Sequence, residues 1–215
     1  MQEQAVKITA GKVVLDGDLA VPGKSRGIVV FAHGSGSGRH SPRNRHVARV
    51  LQDAGLATLL MDLLTVEEEA VDMHTAHLRF DIDLLAKRLV GATDWLNDND
   101  LTRHLHIGYF GASTGAAAAL VAAAERQQAV KAVVSRGGRP DLAFDSLPKV
   151  KAPTLLIVGG DDEPVIGMNR EAMSKMKAER ELVIVPGATH LFEEPGKLDE
   201  VAALARDWFL RHLGG

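Results

Sequence analysis

Cysteine is absent from the 215 residues. That removes disulfides, thiolate metal sites and a thiol nucleophile at one stroke. An excess of one charge is missing too: 25 Lys and Arg against 28 Asp and Glu give a formal net charge of -3. Electrostatics therefore offers no case for nucleic acid or an anionic membrane as partner. The N-terminal Met1-Gln2-Glu3-Gln4-Ala5 lacks a basic n-region and an apolar h-region, so no secretory signal is expected and the cytoplasm is the expected compartment. The longest uncharged stretch, Leu105 to Ala124, contains Gly, Ser and Thr and reads as strand, turn and buried helix rather than a membrane span. No internal repeat, low-complexity linker or domain boundary is visible, and a single domain over 1–215 is expected.

The remaining composition, 46% hydrophobic and 25% charged, is that of an ordinary globular protein. Ala5 to Ala10 and Val13 to Val21 read as antiparallel strands joined near Gly11-Lys12. Gly27 to Ala32, Leu56 to Met61, His106 to Phe110, Val130 to Ser135, Thr154 to Val158 and Leu182 to Val185 are short apolar runs of the kind buried on both faces. Between them lie helical patterns: Arg43 to Ala54, a long one carrying Leu78, Ile82, Leu85, Leu89, Ala92 and Leu96, then Ala116 to Ala124, Val165 to Lys177, and a last one from Leu198 to His212. Strands alternating with helices predict an α/β fold, a mostly parallel twisted sheet with helices on both faces and an antiparallel N-terminal edge. Ser135 to Pro153 is too short to hold a cap domain.

The chemistry starts at Ser113. Gly111-Ala112-Ser113-Thr114-Gly115 falls between an apolar strand and an Ala-rich helix, the setting of a nucleophile elbow. The turn is tight enough that side chains at the two glycine positions would collide with the adjoining strand and helix. A serine hydroxyl needs a base, a group orienting that base, and donors for the oxyanion. In a parallel sheet these come from loops at the carboxyl ends of strands. Val158-Gly159-Gly160-Asp161-Asp162 supplies two aspartates, of which Asp162 fits the loop spacing better; Asp161 then reads as a helix cap. Pro186-Gly187-Ala188-Thr189-His190 supplies the base, and the chain order Ser, Asp, His is that of one hydrolase class. The N–H of Thr114 and that of Ser35, with Gly36 as the alternative, are the expected oxyanion donors.

The loop Gly34-Ser35-Gly36-Ser37-Gly38 is also rich enough in Gly and Ser to cradle a phosphate. It lacks the Walker lysine, since no Lys occurs between Gly27 and Arg49, and it lacks G-x-G-x-x-G, so a nucleotide is not expected. His74 and His77 have helical spacing but no persuasive third ligand. Neither a metal nor a cofactor is expected. Glu67-Glu68-Glu69 reads as a solvated face.

Together, Ser113, Asp162, His190 and the His33-Gly34 loop resemble the α/β-hydrolase superfamily over nearly the whole chain. The compact size and the ending Gly187-Ala188-Thr189-His190-Leu191-Phe192 resemble its dienelactone-hydrolase-like branch. Dienelactone hydrolases carry a cysteine nucleophile where Ser113 stands, so the resemblance implies a serine esterase relative more than a lactone hydrolase. The expected activity is hydrolysis of a small-molecule carboxylic ester through an acyl-enzyme. Thioester, lactone or organophosphate hydrolysis on the same triad is the alternative. A non-enzymatic binding module has nothing in its favour, because no triad position is missing. Arg136 and Arg139, after the strand that follows the elbow helix, and Arg39 and Arg43, beside the oxyanion loop, are candidates for holding a substrate carboxylate or phosphate. Loop ion pairs, for instance of Arg139 with Asp141 or Asp145, are the competing reading.

Overall fold

A strand that is apolar at every position must be covered on both faces. Strand β3 (Gly27–Ala32) is buried throughout. Its side chains alternate between two cores, with Ile28, Val30 and Ala32 in one and Val29 and Phe31 in the other. The computed structural model describes residues 3–214; Met1, Gln2 and Gly215, part of the unit expected over 1–215, lie outside the described residues.

The strands β1 (Glu3–Ala10), β2 (Val13–Ala20), β3, β4 (Ala57–Met61), β5 (His106–Ala112), β6 (Val130–Arg136), β7 (Thr154–Gly159) and β8 (Arg180–Val185) form one sheet in the order β1-β2-β4-β3-β5-β6-β7-β8. The hairpin β1–β2 and its junction with β4 are antiparallel, and every other pair is parallel. Helices α1 (Pro42–Asp53) and α6 (Lys197–Leu213) cover one face through Val47, Leu51, Val201 and Phe209. Helices α3 (Ile82–Asp98) and α4 (Thr114–Glu125) cover the other through Leu85, Leu89 and a run of alanines, and α5 (Glu163–Lys175) adds Ala172 there. Helix α4 is buried from Thr114 to Ala124. A helix without a polar face has no solvent side, and small side chains let it press between the sheet and α3. This is the α/β-hydrolase fold, with no cap domain among the described residues. Among the described residues, no helix is long and apolar enough to cross a membrane.

Two elements differ from the sequence expectation. The helix expected from Leu78 begins at Ile82. Leu78–Phe80 is a separate 3₁₀ turn, because Asp81 caps α3 by accepting the N–H of Leu84 at 3.0 Å. Ahead of it lies a helix the periodicity did not reveal, α2 (Val66–Thr75). It is opened by a capping box in which the Thr65 hydroxyl accepts the N–H of Glu68 and the Glu68 carboxylate accepts that of Thr65. Glu68 also pairs with the buried Arg88 at 2.6 Å, so the acidic run is more than a solvated face. Other element boundaries move by a few residues, as frayed ends do.

Candidate active site

Ser113 links β5 to α4 at φ +50° and ψ −119°, a region that costs a non-glycine residue about 1–3 kcal/mol. Its surroundings hold it there. The Ser113 N–H donates to the carbonyl of Arg136 at 3.2 Å, and its own carbonyl accepts the N–H groups of Ala116 and Arg139 at 3.1 and 3.2 Å. The flanking glycines are sterically required. A Cβ at Gly111 would lie 2.4 Å from Cα of Ala116, and one at Gly115 would lie 2.3 Å from the carbonyl oxygen of Ala32. Neither backbone can yield.

The two loops beyond β7 and β8 are stitched together by backbone hydrogen bonds, Gly160 N–H to the carbonyl of Val185 at 2.8 Å and Asp161 N–H to that of Ala188 at 3.0 Å. Asp162 and His190 therefore meet. The His190 imidazole donates from Nδ1 to Oδ2 of Asp162 at 2.6 Å, which leaves Nε2 as the nitrogen able to accept a proton. Asp162 occupies the N-cap position of α5 without capping it, so its carboxylate is available to the imidazole. Asp161 is exposed in the turn and is not the helix cap it was expected to be. His190 and Ser113 line the same cavity, of about 190 Å³. The histidine loop is held in turn by Glu194, whose carboxylate accepts both the N–H and the hydroxyl of Thr189.

Opposite the elbow, the loop after β3 carries Ser35. Its hydroxyl and that of Thr114 are hydrogen-bonded at 3.0 Å, which ties the two expected oxyanion donors into one unit. Among the described residues, neither the Ser35 nor the Thr114 N–H donates a hydrogen bond. The base of this loop is fixed by His33. Its Nε2 accepts the N–H of Leu63 at 3.1 Å and its Nδ1 donates to the carbonyl of Gly34 at 3.0 Å, a neutral tautomer with both nitrogens used. Burial pushes its pKa below the usual histidine value.

A model of the dienelactone hydrolase family matches residues 15–213. The chain belongs to the dienelactone hydrolase family. A dienelactone hydrolase from Anabaena variabilis is 66% identical, with a TM-score of 0.98 covering 99% of this chain and 98% of that one. Est1E from Butyrivibrio proteoclasticus has the same fold at 18% identity, with a TM-score of 0.80 covering 96% and 98%. Two Mycobacterium tuberculosis proteins named putative phosphoribosyl transferases are 60% identical over all 215 residues. The chain spans about half the length of these curated relatives, 48% of each.

Within this dienelactone hydrolase fold the candidate arginines divide. Arg39 is engaged by Asp62, which accepts its backbone N–H at 2.8 Å and pairs with its guanidinium. Arg139 forms a two-pronged bond with Asp141 at 2.9 and 2.7 Å. Both are loop ion pairs, and neither lines the cavity at Ser113. Asp141, not Asp145, is the partner of Arg139. Arg136 does line that cavity, 6% exposed, with no ion pair or side-chain hydrogen bond among the described residues. Arg43 also lines it and pairs with Glu193 at 2.9 Å.

A second cavity, of about 270 Å³, lies across the loop; Leu63, Leu64, Met73 and Leu85 line it together with charged side chains that include Glu69 and Arg79. Helix α2 forms part of its wall. The sequence reading passed over this helix and over His33 as a clamp. The Thr65-x-x-Glu68 box was the available signal for the first; nothing local announced the second, because the partner of His33 lies 30 residues away on the next strand's end.

Proposed function

We propose that the chain is a serine hydrolase of small carboxylic esters. The observation that carries this reading is the 2.6 Å bond from His190 to Asp162 beside a strained Ser113 on one cavity. His190 Nε2 takes the Ser113 proton as Oγ bonds to the ester carbonyl carbon, and the carbonyl π electrons move onto oxygen. The Thr114 and Ser35 N–H groups stabilise that oxyanion. As the tetrahedral intermediate collapses, the C–O bond to the alcohol breaks and the imidazolium hands its proton to the departing oxygen. Water, deprotonated by His190, then attacks the acyl-enzyme, and Ser113 regains its proton from the imidazolium. Asp162 keeps the imidazole in the required tautomer throughout.

The substrate is a small molecule, and the site is assembled from one sheet edge, so residues 1–215 serve as one working unit. We attribute the transferase name of the mycobacterial relatives to the half of those proteins that this chain does not match. A fluorophosphonate probe tests the reading. One adduct is expected on Ser113 in the folded protein and none on Ser113→Ala. An unlabelled Ser113 alongside a reactive control enzyme would overturn it.

A further inference from the structure

The cavity at Ser113 is lined by two arginines, a histidine and several hydroxyls, and by no carboxylate. Its walls hold donors that the fold leaves unused. The Arg136 guanidinium has no acceptor among the described residues; its carbon stands over the Phe192 ring, 5.9 Å from the centroid. Arg43 spends one terminal nitrogen on Glu193, while its Nε is buried without a partner. Asn44 is 3% exposed; its Oδ1, an acceptor, is buried without a partner, and only its Nδ2 could donate to a ligand. Arg136 is 6% exposed and opens on this cavity with no acceptor from the protein, so the partners open to its guanidinium are solvent and a ligand. Burial, reinforced by the repulsion of Arg43, pulls the Arg136 pKa down to about 10, still cationic near neutrality.

The backbone positions Arg136 tightly. It ends β6 in register with Ala112, which precedes the nucleophile, and its carbonyl accepts the N–H of Ser113. Asn44 and Arg43 lie in the first turn of α1, whose N-cap Ser41 also lines the cavity. Backbone dipoles there favour negative charge as well.

We propose that this cavity binds a phosphate group carried by the alcohol portion of the ester, with Arg136 as its principal anchor. The proposal deepens the serine-hydrolase reading and rests on it for the word ester. The alcohol side is assigned because His190, which hands the proton to the departing oxygen, lines this cavity and not the other. The larger cavity, with its leucines and Met73, receives the acyl chain. Phosphate is favoured over carboxylate because the donors converge from three elements: β6, the first turn of α1 and the loop after β3. A planar carboxylate satisfies a single fork, whereas three terminal oxygens can use all of them.

Three probes of one carbon skeleton test this by calorimetric titration of the wild-type chain: glycerol 3-phosphate, glycerate and glycerol. Saturable binding of glycerol 3-phosphate is expected, at least tenfold tighter than glycerate and with no detectable binding of glycerol. Arg136→Met should weaken glycerol 3-phosphate at least tenfold. Arg136→Lys, which keeps the charge and loses the fork, should weaken it less, and it serves if the methionine variant does not fold. Glycerate binding as tightly as glycerol 3-phosphate would overturn the phosphate assignment. A Kd unchanged in whichever Arg136 variant folds, or no binding to the wild type, would overturn the site. None of these titrations requires turnover, so they can fail while Ser113 still labels, or succeed while it does not. Where 4-nitrophenyl acetate is hydrolysed, glycerol 3-phosphate should inhibit competitively and glycerol should not.

Discussion

Asp162 and Asp161 are adjacent and chemically identical, yet only one reaches an imidazole. The difference lies in the turn, where the Asp162 N–H donates to the carbonyl of Gly159 at 3.1 Å while Asp161 faces solvent. Asp162→Asn should keep the geometry and reverse the hydrogen-bond demand on Nδ1, favouring the wrong tautomer. Ester turnover is expected to fall by roughly 10³–10⁴-fold. Asp161→Asn should leave it unchanged, and steady-state kinetics on a 4-nitrophenyl ester checks both. At this scale the sequence was most legible where chemistry imposes an order. Ser113, Asp162 and His190 were singled out by their spacing to three different strands, and the structure bonds His190 to Asp162 and sets His190 and Ser113 on one cavity. The arginines were legible only in part: the pairing of Arg139 with Asp141 was one of the competing readings, and that of Arg39 was not foreseen. Whether Arg39 is free depends on Asp62, 23 residues away at the end of another strand, and no local pattern encodes that pairing.

The loop after β3 is held at its root by His33, and this makes the element sensitive to acid. Charged His33 would set an N–H at Nε2 against the N–H of Leu63. The folded state therefore holds the ring neutral, with its pKa below the unfolded value of 6.5. Where pH lies between the two values, the unfolded chain binds the extra proton. The contribution is complete above 6.5 and is lost as pH falls from there through the folded pKa. Urea midpoints measured between about pH 5 and 7.5 should fall on acidification, and His33→Gln should flatten that slope. An identical slope in the variant would assign the acid sensitivity to other groups. Elements with a strong period or a continuous apolar run were read from sequence almost to the residue, β3 among them. Helix α2 was not, because its only buried residue is Asp72, and an amphipathic pattern cannot report a helix held by capping and ion pairs. Asp72 accepts the N–H groups of Leu78 and Arg79 and pairs with the Arg79 guanidinium, so charge, not an apolar stripe, docks this segment.

For the whole molecule, the alternation of strand and helix and the antiparallel start were enough to give the architecture. The order β2-β4-β3-β5 was not, since an apolar run does not say which neighbour it will choose. The cavity at Ser113 and the one across the loop, of about 190 and 270 Å³, are both small beside the ~300–1,000 Å³ of most ligand sites. Short acyl esters in true solution should therefore be the better substrates, with no rise in rate as the solubility limit is crossed. A preference for emulsified long-chain triglycerides would contradict this. The two cavities share one partition: Gly34, Ser35 and Ser37 face both. At these shared positions, selectivity for the two halves of a substrate is not adjustable one half at a time. A bulkier side chain at Ser37 narrows both compartments together, so altered acyl preference at this position should arrive with altered alcohol preference.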